Sequence, residues 1–366
     1  MMKKVKILVT AANGHTGYPA AKELLDLGFE VIAMVRNINN PKAKHLNKLG
    51  AELFIGDMND VRDYRKALKG VQRAYFCAPL GRNTLFQTVA FVSAAEESNL
   101  EHVVYMSQWL LTEDHHAMNT KEQWLSDQVV KMHKRISYTF INTGLFGFTN
   151  FMVLDSVVHL GIMPTTVKGA TKSYNVGLNA SPSDDDQGRV IAHILKNPET
   201  HINKTYRITG PKLLSPKHIA EIYSRILKKK VKLKEVSEDM VLKSLKGTRT
   251  LTMYEMHNVI HYLRELNKGT FEIQGVTNVV KEITGREPED FETMAKNSIG
   301  KMARSEVSLM NKFRVLGEFI HSLLIKKPNL EQFESEQELP KFLHGMNYSV
   351  ENEKWVHSRE KHTFSV

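Results

Sequence analysis

The sequence predicts an α/β fold: a doubly wound parallel sheet, followed by a helical C-terminal extension. Three observations predict it. Short apolar, β-rich runs alternate with helix-compatible stretches from residue 5 to about residue 208, the pattern of consecutive βαβ units. The first unit, V-K-I-L-V-T-A-A-N-G-H-T-G, passes from strand to helix through a turn of small residues. Beyond about Gly300 the alternation stops: Met310 to Ile325 reads as an amphipathic helix, followed by Pro328, Pro340 and a tail rich in Lys, Glu and His through Val366.

Each element has its own justification. Val5, Ile7, Leu8 and Val9 suit one buried strand. Ala20, Ala21, Leu24 and Leu25 mark the helix after it, with Pro19 tolerated in the first turn and Gly28 placed to stop it. Val31 to Val35 is the second strand and ends on Arg36; a helix follows from about Pro41 to Leu49. Ala51 to Ile55 is the third strand, leading into Gly56-Asp57-Met58 and a helix from about Val61 to Lys69. Ala74 to Ala78 is the fourth, ending at Pro79, with a helix from Asn83 to Ser98. His102 to Ser107 and Tyr138 to Asn142 continue the series, then a helix from Asp186 to Lys196 and a strand from Thr205 to Ile208. Ser215-Pro216 starts a further helix as N-cap and first residue, running to Leu227. Lys230, Lys232 and Lys234 flank Val231 and Leu233, an edge strand with a solvated lysine face.

Bulk properties narrow the function classes. The chain has 366 residues, 42% of them hydrophobic and 25% charged, as in a soluble globular protein. Its one cysteine, Cys77, excludes an internal disulfide and a multi-cysteine zinc site and fits a reducing, cytoplasmic location. No run is long enough to span a bilayer, and Lys6 and Asn13 interrupt the apolar start after the basic Met1–Lys4, so neither membrane nor signal peptide is expected. The net charge of +10 is scattered and accompanied by no recognition motif, so nucleic acid is not expected as a partner.

The first turn points to phosphate. A helix N-terminus offers unpaired N–H groups and the positive end of its dipole, which a pyrophosphate can use only if the backbone comes close. Gly14 and Gly17 allow that approach, while Ala11 occupies a place where glycine is usual. Thr10, Ala11, Asn13, Gly14, His15, Thr16 and Gly17 are therefore the expected phosphate-side residues. Arg36 ends the second strand, where an acidic residue would take the ribose 2′-OH and an arginine pairs with a 2′-phosphate; with Lys42 and Lys44 nearby and no acid between Val31 and Lys44, NADP(H) is the expected cofactor. Asp57 and Met58 lie where adenine would rest, although Asp57 could equally cap the next helix. Ala78 and Pro79 suit close passage of a ribose. Phe146, Phe148, Phe151, Met152 and Met163 could wall a pocket over the nicotinamide or be plain core.

The ordered set T-A-A-N-G-H-T-G, V-R, G-A-E-L-F-I-G-D-M-N-D, V-V-Y-M-S, T-K-E-Q-W, Y-T-F-I-N-T-G-L-F, Y-R-I-T-G-P-K-L-L-S and E-I-T-G-R-E-P-E-D-F resembles the NmrA-like group of atypical short-chain dehydrogenases/reductases, over about residues 4 to 298. The resemblance implies a Rossmann-type NADP(H)-binding domain (residues 1–150, with parts of 170–210 returning to it), a smaller α/β substrate domain (151–299) and, outside it, an extension (300–366) of unassigned role. It also implies either an NAD(P)H-dependent reductase of quinone-like or conjugated small molecules, or a dinucleotide sensor without turnover that acts on a protein partner.

The Tyr-x-x-x-Lys pair of typical short-chain dehydrogenases is absent, because Ala117 stands four residues before Lys121. A tyrosine beside a lysine works because the ammonium lowers the phenol pKa, and that chemistry cannot run from alanine. Lys121, which the resemblance places near the nicotinamide ribose, could hold the ribose, shuttle a proton or simply be solvated. Ser107 could bond substrate or cofactor, or cap the next segment. His115 or His116 could supply the proton that accompanies a hydride, or face solvent. No further ligand completes a metal site around them, and Asp184, Asp185 and Asp186 read as N-terminal capping of a helix, so no metal is expected.

Overall fold

The protein is described by a computed structural model over residues 5–302, 306–337 and 346–360. Met1–Lys4, Pro340 and the last six residues, on which part of the sequence reading rests, lie outside the described residues.

Seven parallel strands form the central sheet in the order β3-β2-β1-β4-β5-β6-β8. They are β1 (Lys6–Val9), β2 (Glu30–Val35), β3 (Glu52–Ile55), β4 (Arg73–Phe76), β5 (His102–Gln108), β6 (Ser137–Thr143) and β8 (Thr205–Ile208). Strand order reverses between β1 and β4, so the carboxyl ends of those two strands open the crevice in which a doubly wound sheet binds its ligand.

Helices cover both faces of the sheet. On one side, α1 (Gly17–Asp26), α2 (Pro41–Lys48) and α6 (Asp184–Lys196) close a core around Ile7, Val9, Leu24, Ile141 and Ile191. On the other, α3 (Val61–Ala67), α4 (Thr84–Glu96) and α5 (Met118–Met132) cover Leu8, Met34, Tyr64, Phe91 and Phe140. The near-continuous apolar runs in the strands follow from burial on both faces. Contact between α1 and α6 is close enough that a Cβ on Gly188 would lie 2.6 Å from the Ala20 nitrogen.

A second, two-stranded parallel sheet pairs β7 (Ile162–Thr165) with β9 (Lys232–Glu235). β9 is the lysine-faced strand read from the sequence, and Lys232 and Lys234 are exposed on it. It packs with α7 (Pro216–Ile226) and α11 (Phe291–Gly300) around Leu154, Val157, Tyr223 and Phe291. Ser215 caps α7 as expected, its hydroxyl accepting from the His218 N–H. Phe151 and Met163 join this core, whereas Met152 is exposed. The remaining body helices are α8 (Glu238–Thr248), α9 (Met253–Asn267) and α10 (Val279–Thr284).

The extension folds back onto the body. Its first helix, α12 (Leu309–Leu324), lies against α8 and ties Arg314 to Asp155 at 3.0 Å, while Met310, Phe313 and Leu324 on its outer side remain exposed. α13 (Leu330–Glu336) packs Phe333 against Met118 and Tyr254. Next to α14 (Glu353–Glu360), Asn347 bridges to His115. Trp355 is buried against Trp109 and donates from Nε1 to its carbonyl at 3.1 Å. The tail thus buries Tyr348 and Trp355 over the segment that follows β5.

Candidate functional site

The crevice begins at the β1–α1 turn. Thr10 is fully buried, and its hydroxyl accepts from the Cys77 N–H at 2.9 Å, which locks the ends of β1 and β4 together. Ala12 donates to the Met34 carbonyl at 3.1 Å, fixing the same turn to β2. Ala11 stands in the left-handed region at φ 44°, the conformation for which glycine is favoured. The chain turns there despite the methyl group, and Gly14 donates back to the Ala11 carbonyl at 2.8 Å. That carbonyl also explains Gly17: a Cβ there would lie 2.4 Å from its oxygen.

The first turn of α1 carries no side-chain cap, because the Thr16 hydroxyl is turned to Tyr75 Oη at 2.7 Å. Within it the Tyr18 N–H donates to the Gly14 carbonyl at 3.3 Å and Pro19 has no N–H, which leaves the Thr16 and Gly17 N–H groups as the donors of the helix start. His15 points elsewhere: Nδ1 pairs with Asp184 at 2.6 Å and the ring stacks on Phe148 at 3.8 Å. Asp184, Asp185 and Asp186 fill the first turn of α6 under the Ser183 cap, as the sequence indicated.

Around the rim, Arg36 is exposed just beyond β2 and, among the described residues, makes no hydrogen bond or ion pair. Lys42 lies 5.3 Å over the Tyr18 ring. Asp57 does not cap α3: Asp60 does, accepting from the Arg62 N–H at 2.8 Å. Asp57 instead accepts from the Asn59 N–H at 2.9 Å, a local turn that sets its carboxylate at the exposed rim. The Met58 side chain is committed to the core, leaving only its main chain to the crevice. Ala78 is half-buried, Pro79 exposed and Asn13 half-buried.

No hydrogen bond joins any two of Lys121, His116 and Ser107. Ser107 is buried and donates to Asp127 Oδ2 at 2.6 Å, so it neither caps the next segment nor keeps a free hydroxyl proton. Burial pushes the Asp127 carboxyl up to about 6. His115 is neither solvent-facing nor a free donor: it is fully buried, with Nε2 on Glu265 at 2.7 Å and Nδ1 accepting from the Ala117 N–H at 2.9 Å. Its neighbour His116 is half-buried, 4.5 Å from the Tyr348 ring and stacked over His261. Lys121 is half-buried with Nζ 3.4 Å from Met346 Sδ, and burial lowers its pKa.

Sequence reasoning passed over Glu122. It is half-buried between Tyr254 and Arg82, and burial pushes its carboxyl up to about 7. α9 and the extension cover this side of α5, and Tyr254, an aromatic residue in a helix start, was the available signal.

A seven-stranded parallel sheet, a glycine turn at the strand switch and a basic residue closing the second strand define a Rossmann-type protein. The chain belongs to the NmrA-like family, whose profile matches residues 3–319. It is 23% identical to the NAD(P)H azoreductase of Xenophilus azovorans over 292 residues, 79% of this chain and 96% of that protein. Among solved structures, triphenylmethane reductase of Citrobacter sp. complexed with NADP(H) superposes with a TM-score of 0.66 at 23% identity, covering 80% of this chain and 99% of that one. The Escherichia coli NADPH-dependent quinone oxidoreductase complexed with NADPH gives 0.66 at 17% identity, with 80% and 99% covered. NmrA, a negative transcriptional regulator in complex with NAD, gives 0.65 at 15% identity, with 81% and 95% covered. Among the described residues, no helix is long and apolar enough to cross a membrane.

Proposed function

We propose that the protein binds NADP(H) across the β1–β4 crevice and transfers hydride to a quinone-like or otherwise conjugated small molecule. The observation that carries the reading is the β1–α1 turn. Gly17 tolerates no side chain, the helix start has no side-chain cap, and Arg36, unpaired among the described residues, waits at the rim for a 2′-phosphate. When bound, the dinucleotide supplies the hydride. The first turn of α1 holds its pyrophosphate, Arg36 its 2′-phosphate, and the ends of β3 and β4 its adenosine side, through Asp57, the Met58 main chain, Ala78 and Pro79.

Lys121 then holds the nicotinamide ribose from α5, and Glu122 keeps the proton that must follow the hydride, since a carboxyl raised to about 7 remains partly protonated at neutrality. Ser107 and His116, held by Asp127 and by Tyr348, position the strand end and the loop rather than react. The azoreductase, dye-reductase and quinone-reductase names among the relatives support a reductase of conjugated acceptors.

One observation favours a second reading, a dinucleotide sensor read by a protein partner. The extension lies over the segment after β5 and sets Met346 on Lys121, where an acceptor would otherwise approach. NADPH oxidation over a panel of quinones, azo dyes and enones separates the two. Turnover lost in Lys121→Ala supports the reductase; tight NADPH binding with no oxidation by any acceptor supports the sensor.

A further inference from the structure

No metal is expected from the sequence, but the extension brings three ligand atoms together. His257 and His261 are four residues apart on α9 and thus share one face of the helix; both are buried. Glu334 reaches them from α13. The two Nε2 atoms are 3.1 Å apart, and the Glu334 Oε1 lies 3.0 Å from that of His257 and 3.5 Å from that of His261. A tetrahedral ion with metal–nitrogen bonds of about 2.0–2.1 Å sets its ligands about 3.3–3.4 Å apart. A single hydrogen bond would account for one of these contacts; it gives no reason for all three atoms to lie within reach of one ion. From this triangle we propose a zinc(II) site, formed by His257, His261 and Glu334, that fastens α13 to α9.

The surroundings fit the role. His261 turns Nδ1 to Tyr348 Oη at 3.1 Å, the kind of outer hydrogen bond that orients a metal-bound imidazole. Tyr348 comes from the second part of the extension, so one ion would gather α9, α13 and the 346–360 segment. His116 stacks on His261, and the Asn119 N–H donates to Asn258 Oδ1 on the same helix at 3.2 Å. Metal binding therefore orders the cover over the loop that leads to Lys121. Two imidazoles and one carboxylate suit zinc, with cobalt(II) as its spectroscopic substitute. The site stands on its own geometry and is independent of the reductase reading.

The test uses the untagged full-length chain, stripped with a chelator and dialysed. Zinc(II) is titrated in competition with a chromophoric chelator, and cobalt(II) is added separately. Expected are one zinc equivalent per chain, a rise in Tm with zinc, and visible d–d bands of a four-coordinate cobalt ion. Glu334→Gln and His257→Gln should each weaken zinc binding by more than about 100-fold, since even outer-shell partners cost 10–100-fold. The proposal is overturned if the wild-type chain takes up no zinc equivalent and its Tm is unmoved by zinc, a result that depends on no variant folding. Equal zinc uptake by wild type and the His257→Gln/His261→Gln double variant also overturns it. NADPH titration of the same stripped protein reports on the crevice separately.

Discussion

Replacing Gly17 by alanine would set a Cβ 2.4 Å from the Ala11 carbonyl oxygen and 3.0 Å from the Ala12 Cα. All of these are main-chain atoms, so no rotamer change relieves the overlap. The turn would have to widen by at least about 0.6 Å, and overpacking of this kind costs about 1–3 kcal/mol of stability. Binding should suffer more. Hydrogen bonds to a charged group contribute about 1.5–3 kcal/mol each, so misaligning two phosphate contacts removes about 3–6 kcal/mol, or more than about 100-fold in affinity. Gly14→Ala is the graded control: its Cβ would meet the same oxygen at 3.0 Å, and its loss should be about 10-fold or less. Ala11→Gly removes a left-handed alanine and should keep binding intact, with stability changed by no more than about 1 kcal/mol. NADPH fluorescence titration reads the affinities, and circular dichroism confirms that each variant is folded. A folded Gly17→Ala protein that binds NADPH within about threefold of wild type would refute the reasoning about this turn.

Arg36→Ala should weaken NADPH by about 10–100-fold, one or more charge-assisted hydrogen bonds, and leave NADH unchanged; parallel titrations check it. With an acceptor that needs a proton, the rate should be high below about pH 7 and fall above it, because the protonated Glu122 is the donor and its carboxyl titrates at about 7. Glu122→Gln should lower the rate at pH 6 by roughly 100-fold and flatten that limb of the pH–rate profile. Trp355→Ala empties a buried site against Trp109 and should cost about 3–5 kcal/mol in the extension's attachment, seen as faster limited proteolysis of residues 346–360 while the sheet core stays protected.

The sheet was legible because its inner strands are apolar runs closed by small or polar residues. Burial on both faces leaves such runs little alternative. The turn at Gly14 and Gly17 was legible for the same local reason, since close backbone approach needs missing side chains. What could not be read depends on residues far apart in the chain. Asp57 and Asp60 are both plausible caps from their spacing, and the backbone entry angle decides for Asp60. Ser107 and His115 look available until Asp127 and Glu265 are placed beside them. The i, i+4 pair of His257 and His261 stands plainly in the sequence, but Glu334 meets it only once the extension has folded back. The half-burial of Glu122 likewise needs Tyr254 and Arg82 brought over α5. Local chemistry fixed the crevice, then, and long-range packing fixed which side chains beside it remain free.

The most direct measurement is calorimetric titration of the folded, full-length chain with NADPH, NADP+ and NADH. One site per chain, with NADPH at least about tenfold tighter than NADH, is the expected result, because Arg36 has no partner among the described residues and the α1 start has no side-chain cap. Absence of heat with both NADPH and NADP+ at high concentration, from protein whose fold is verified, would contradict the account at its root.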